Sequence, residues 1–151
     1  MKPPDSPPID IDTSLLIVVG AHLRAEVADR PLGERLRQRI LDWQSETGCD
    51  APLVPIICTD LWWLNDRDLQ AQPTIAIGNP SVNAASAYFA NRLPSALVVE
   101  NSFEVQVDPE LVCLQACLWG VDASATASAV EAFIERYLDP LLRAAHGWAP
   151  A

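Results

Sequence analysis

The chain predicts an α/β domain with three layers, Rossmann-like or flavodoxin-like in size. Its sheet is mostly parallel, with an antiparallel edge hairpin and a long C-terminal helix. Two observations carry this prediction. Up to residue 94, short apolar runs rich in β-branched residues alternate with segments of helical period. That is the pattern of strands covered on both faces by crossover helices. After residue 94 the rhythm changes, and FEVQV (103 to 107) alternates apolar with polar, as a strand with one wet face does. The length, 151 residues of which 50% are hydrophobic, suits one such domain.

Residues 1 to 12, MKPPDSPPIDID, hold four prolines and little that a core could bury. They read as a disordered tail ahead of a single domain spanning 13 to 151. They lack the apolar stretch of an export signal, so the expected compartment is the cytoplasm. SLLIVVGA (14 to 21) is the first buried strand. A helix follows in which Leu32, Leu36, Ile40 and Trp43 recur at helical spacing, with Asp29 as N-cap, Pro31 in the first turn and Gly48 as terminator. PLVPIICTD (52 to 60) is the second strand, and LWWLNDRDLQAQ (61 to 72) a loop or short helix. PTIAIGN (73 to 79) is the third strand, and SVNAASAYFANRLP (81 to 94) its helix. SALVVEN (95 to 101), FEVQV and VCLQACLWG (112 to 120) add three more strands, the last two pairing as a hairpin through DPEL. The final helix runs from 123 to 145 behind Asp122, with Pro140 kinking or interrupting it.

Composition excludes several classes. Net charge is −10 and the chain has one lysine, so phosphate neutralisation is weak and nucleic acid is not an expected partner. No apolar run approaches the roughly 20 residues of a membrane helix. Four cysteines (Cys49, Cys58, Cys113, Cys117) form no C-x-x-C pair. On one strand Cys113 and Cys117 would lie roughly 13 Å apart, beyond a disulfide's reach. The cysteines are expected as buried, reduced thiols, with no metal and no cofactor. Neither G-x-x-x-x-G-K-[ST], G-x-G-x-x-G nor G-x-S-x-G occurs.

Ligands of open parallel sheets bind beyond the carboxyl ends of the strands. Those ends carry His22, Asp60, Asn79, Ser81, Asn83 and Asp122, the candidate ligand-binding residues. In GNPSVN, Gly78 allows the turn and Asn79 or Ser81 is placed to cap the next helix. Asn83 is expected inside that helix as a surface residue. Free N–H groups there and at GVDASAT (120 to 126) would suit an anionic small molecule, although simple caps have the same sequence pattern. His22 and Asp60 at neighbouring strand ends would suit acid–base work, but no nucleophile accompanies them. Trp62 and Trp63 are adjacent and cannot share one face, so a contact surface is expected there. Arg35 and Arg39 belong to a group of five arginines (with Arg24, Arg30 and Arg37) that forms either a solvated helix face or a docking patch.

Residues 73 to 138 resemble a small α/β domain of prokaryotic surface-layer-type proteins. The resemblance rests on a strand followed by G-G-P-x-x-N, and later on G-x-x-x-x-x-T-x-x-A-x-x-x-F. Here Pro80 and Asn83 match the first motif, with Asn79 in place of its second glycine. Gly120, Thr126, Ala129 and Phe133 match the second. The resemblance implies a structural or recognition domain without established catalytic residues. Two functions are expected. One is a non-catalytic binding or protein-interaction domain that associates with a partner or with itself. The alternative is a small-molecule enzyme or sensor holding an anionic ligand at the sheet edge.

Overall fold

A computed structural model describes residues 10 to 149. Most of the expected tail, residues 1 to 9, lies outside the described residues. Its end is structured: Asp10 accepts the Asp12 N–H and caps a single 3-10 turn, Ile11–Thr13, and Ile11 packs against the core.

Six strands form one sheet: β1 (Ser14–Val19), β2 (Val54–Thr59), β3 (Thr74–Ile77), β4 (Ser95–Val99), β5 (Phe103–Val107) and β6 (Gln115–Gly120), in the order β2-β1-β3-β6-β5-β4. β2, β1, β3 and β6 are mutually parallel, and β5 runs against both its neighbours. The chain is therefore α/β with a mostly parallel sheet and an antiparallel edge. Seven helices complete the described residues: α1 (Leu23–Ala28), α2 (Arg30–Thr47), α3 (Asp60–Leu64), α4 (Arg67–Gln70), α5 (Ala84–Ala90), α6 (Ala123–Arg136) and α7 (Leu138–Ala145).

Alternate residues of β1 enter two separate cores, as the strand period of two requires. Leu15 and Ile17 pack with Leu36, Ile40 and Trp43 of α2 and with Val130 and Phe133 of α6. Leu16 and Val18 pack with Trp63 of α3 and Phe89 of α5. Every residue of β1 is buried, and this is why its sequence is apolar without alternation.

Four expectations change. The hairpin strand expected over 112 to 120 begins at Gln115, because the Asp108 carboxylate accepts the N–H groups of Glu110, Val112 and Cys113 and holds them in a turn. Those hydrogen bonds also hold the Asp108 carboxyl below the usual aspartate range. Cys113 is consequently exposed and Cys49 only partly covered. Cys58 and Cys117 are buried, and all four are free thiols. The long C-terminal helix is two helices that break at Tyr137. Pro140 has no N–H to offer the Arg136 carbonyl, and instead it sits in the first turn of α7, where that donor is not needed. Trp63 does not join a contact surface. It is 1% exposed, and its indole N–H donates to Thr74 Oγ1 at 3.2 Å. Among the described residues no helix is long and apolar enough to cross a membrane.

Candidate functional site

The carboxyl ends of β1, β3 and β6 each close on a glycine. A Cβ on Gly20 would collide with the Val82 carbonyl, and one on Gly120 with the backbone at Ala125. Close approach, more than turn geometry, requires glycine at both positions. Gly78 differs in having φ +123°, and its missing Cβ leaves the space into which Asp29 Oδ2 reaches, 2.5 Å from where that carbon would stand.

Two of the sequence candidates serve the architecture of this edge. Asp60, only 5% exposed, accepts the N–H groups of Ala21 (3.0 Å) and Leu61 (2.8 Å) on Oδ1 and of Ala84 (2.8 Å) on Oδ2. It ties the loop after β1 and the start of α5 to the end of β2. Asn83 is neither inside its helix nor on the surface. It is the N-cap of α5, 1% exposed, with Oδ1 accepting the N–H groups of Ala85 and Ser86. Its Nδ2 donates to the carbonyls of Val18 and Ile77, the ends of β1 and β3. All four of its hydrogen-bonding positions are occupied, which leaves none for a ligand. The helix therefore starts three residues later than its sequence predicts. Asn79 does not cap it: its Oδ1 accepts the Ser81 N–H at 2.9 Å and shapes the preceding turn.

His22 and Asp60 share no hydrogen bond. His22 Nδ1 accepts the Arg24 N–H and caps α1, a short helix that the sequence reading, which began its helix at Asp29, did not identify. With Asp60 fully engaged by backbone N–H groups, the pair is not arranged for acid–base work.

Asn79, Ser81 and Asp122 do converge. With Arg24, Ala28, Asp29, Val82, Gly120, Val121, Ala123 and Thr126 they line a cleft of about 340 Å³ above the ends of β3 and β6, within the size range of small-molecule sites. Asp122 caps α6 by accepting the Ala125 N–H at 2.7 Å. Thr126 Oγ1 accepts the Gly120 N–H and donates to the Asp122 carbonyl, locking α6 onto the end of β6.

Asp29 is the residue the sequence left as an ordinary cap. It holds the N-cap position of α2 but makes no capping hydrogen bond, and among the described residues no side chain or backbone N–H donates to its carboxylate. It is 5% exposed and faces the cleft. Loss of solvent pushes its carboxyl up to about 6. An aspartate just before Arg-Pro signals a helix start. Nothing local reveals that this one is covered by the chain around Gly78.

A second constellation joins residues distant in sequence. Cys49 Sγ lies 3.2 Å from His146 Nε2, which is 3.1 Å from Gln44 Oε1, and the imidazole packs against Trp43 and Trp148, which also pack against each other. Burial raises the Cys49 thiol and lowers His146. Both shifts favour the neutral forms, the opposite of a thiolate–imidazolium pair. Gln44 is itself held by both backbone groups of Leu53. The cluster is a packing joint between α2 and the C-terminal segment.

The remaining candidates lie elsewhere. Arg35 forms a bidentate pair with Glu131 on α6, and Arg39 lies 3.5 Å from Glu46. Trp62 is 50% exposed and borders a small apolar pocket with Ile11, Leu16, Ile56 and Leu69. No group of three or more metal-ligating side chains occurs among the described residues. No protein-family model matches the chain, and no curated protein matches it.

Proposed function

We propose that this chain is a non-catalytic small-molecule-binding domain of Rossmann-like, three-layer type, with its ligand in the cleft above β3 and β6. The single observation that carries the proposal is Asp29, a residue 5% exposed whose carboxylate opens on the wall of that cleft with no hydrogen-bond donor among the described residues. A buried charge without a hydrogen bond is costly, and such exceptions concentrate where a ligand supplies the missing partner. The cleft lies at the carboxyl ends of parallel strands, next to the β1/β3 junction. From there the chain leads to β2 on one side and to β3 on the other, the position open α/β sheets use for ligands. Among the described residues no cysteine or histidine lines the cleft, and the Thr126 hydroxyl donates to the Asp122 carbonyl rather than to a base, which favours binding over catalysis. The surface-layer-type resemblance agrees, since it implies recognition without catalytic residues.

The test is amide chemical-shift mapping of the labelled protein against a library of small polar molecules. The expected result is perturbation concentrated at Asn79, Ser81, Val121 and Thr126. Binding confined to other surfaces would overturn the assignment.

Self-association is the second reading, and the outer edge of the sheet favours it. β4 carries no charged residue and leaves Val98 and Val99 exposed, a poorly protected edge. Sedimentation should then show a dimer that Val98→Lys dissolves. A monomer at all accessible concentrations would remove this reading.

A further inference from the structure

We infer that the cleft takes a small organic cation, whose ammonium or guanidinium group docks on the Asp29 carboxylate and whose apolar stem lies against Val82 and Val121. The inference rests on the cleft being the ligand site. Four observations point to a cation and away from the anion that the strand-end glycines first imply. Asp29 as a residue is only 5% exposed, and its carboxylate opens on the cavity and accepts no hydrogen bond from any described residue. The neighbouring polar groups do not supply one: Thr126 Oγ1 donates to the Asp122 carbonyl, and the Asn79 amide faces the Gly120 carbonyl at 3.5 Å. The N-terminus of α6, which would otherwise suit an anion, is already occupied by the Asp122 carboxylate. The charged groups lining the cleft are Asp29, Asp122 and Arg24, so an anion would meet two carboxylates and one exposed arginine. The walls also contain Ala28, Val82, Val121 and Ala123, which suit an alkyl chain and offer little to an inorganic ion. An ammonium or guanidinium donates charge-assisted hydrogen bonds to a carboxylate, and in a desolvated site these are stronger than in water.

The experiment titrates the labelled full-length protein with putrescine, with methylguanidinium and with inorganic phosphate at fixed ionic strength. Each probe is applied to the wild type and to Asp29→Asn. The cations should perturb the Asn79, Ser81, Val121 and Thr126 amides of the wild type, with affinity about tenfold or more weaker in Asp29→Asn. Burial pushes the Asp29 carboxyl up to about 6, so wild-type cation binding should also weaken between pH 7.5 and pH 5. Because Arg24 and Asp122 face the same cleft, Asp29→Asn is the control for that pH effect and should show little of it. If Asp29→Asn fails to fold, Asp29→Ser takes its place in the same titrations and the same pH control. Phosphate perturbing the cleft while both cations do not would overturn the inference and leave a ligand site of another class. Cation binding unchanged in Asp29→Asn, or no perturbation by either cation, would also overturn it.

Discussion

Asp60 and Asp29 stand at the same edge of the sheet, are equally buried at 5% exposure, and meet opposite fates. Asp60 receives three backbone N–H groups from three separate segments, whereas among the described residues none donates to Asp29. Burial alone therefore does not explain either residue. On the β2 side of the edge the fold uses a carboxylate as mortar, collecting donors that would otherwise be orphaned. On the β3/β6 side it leaves a carboxylate bare beside an open cleft. Three donors make Asp60 a structural joint, whereas the bare Asp29 carboxylate supports the proposal that its partner comes from outside the chain. Asn83 belongs with Asp60: its amide joins the ends of β1 and β3 to the first turn of α5.

The contrast can be broken most forcefully at Asn83. Asn83→Ala removes a buried cap and two donors to strand carbonyls, and should destabilise the protein by about 3–5 kcal/mol in urea unfolding. A near-neutral result, as for a surface residue, would dissolve the distinction between the two sides. Asp60→Asn should cost somewhat less, about 2–3 kcal/mol, because one amide oxygen can keep the Ala21 and Leu61 N–H groups while the amide nitrogen faces the Ala84 donor. Equal stability of this variant and the wild type would mean that those donors find water.

Asp29→Asn sharpens the comparison by moving the other way. The folded-state carboxyl is raised from 3.8 to about 6. Between those values the folded state binds more protons than the unfolded state, and wild-type stability falls as pH rises through the window. The variant should thus be more stable than the wild type at pH 7, by about 1–3 kcal/mol. That advantage should shrink below pH 6 and vanish below pH 3.8, as thermal melts across pH would show. A variant less stable than the wild type at pH 7 would place Asp29 with Asp60. The smallest effect is expected at Ser86, whose buried hydroxyl has no hydrogen-bond partner among the described residues. Ser86→Ala should be neutral or stabilising by about 0.5–1 kcal/mol in the same melts. A loss larger than that would reveal a bound water, and the hydroxyl would then be a satisfied group like Asp60.

The sheet was legible because its evidence is local. SLLIVV is short, β-branched and followed by glycine, as a strand covered on both sides is, FEVQV alternates, and Gly48 takes the left-handed conformation, φ 67°, that ends α2. The edge that carries the cleft was legible for the same reason. Parallel strands ending at residues 19, 77 and 120 must bring their following residues together, so Asn79, Ser81 and Asp122 could be named in advance. Element limits shifted where a side chain competed with a helix or strand. Asp108 captured the start of β6, and Asn83, spaced like a helical residue, capped α5 instead.

The sequence by itself determined where the six strands lie, where α2 lies, and which edge of the sheet gathers the polar turn residues. All of these follow from hydrophobic period, glycine and proline within a few neighbours. Only the tertiary structure decided what each polar residue at that edge does. Asp60, Asp29 and Asp122 are each an acid at the start of a helix, equivalent as letters. Their roles separate because Asp60 meets donors from Ala21 and Ala84, Asp122 meets the first turn of its own helix, and Asp29 meets a glycine that offers neither a side chain nor a donor. Hydrogen-bond satisfaction is a property of what the fold brings alongside, and no spacing along the chain encodes it.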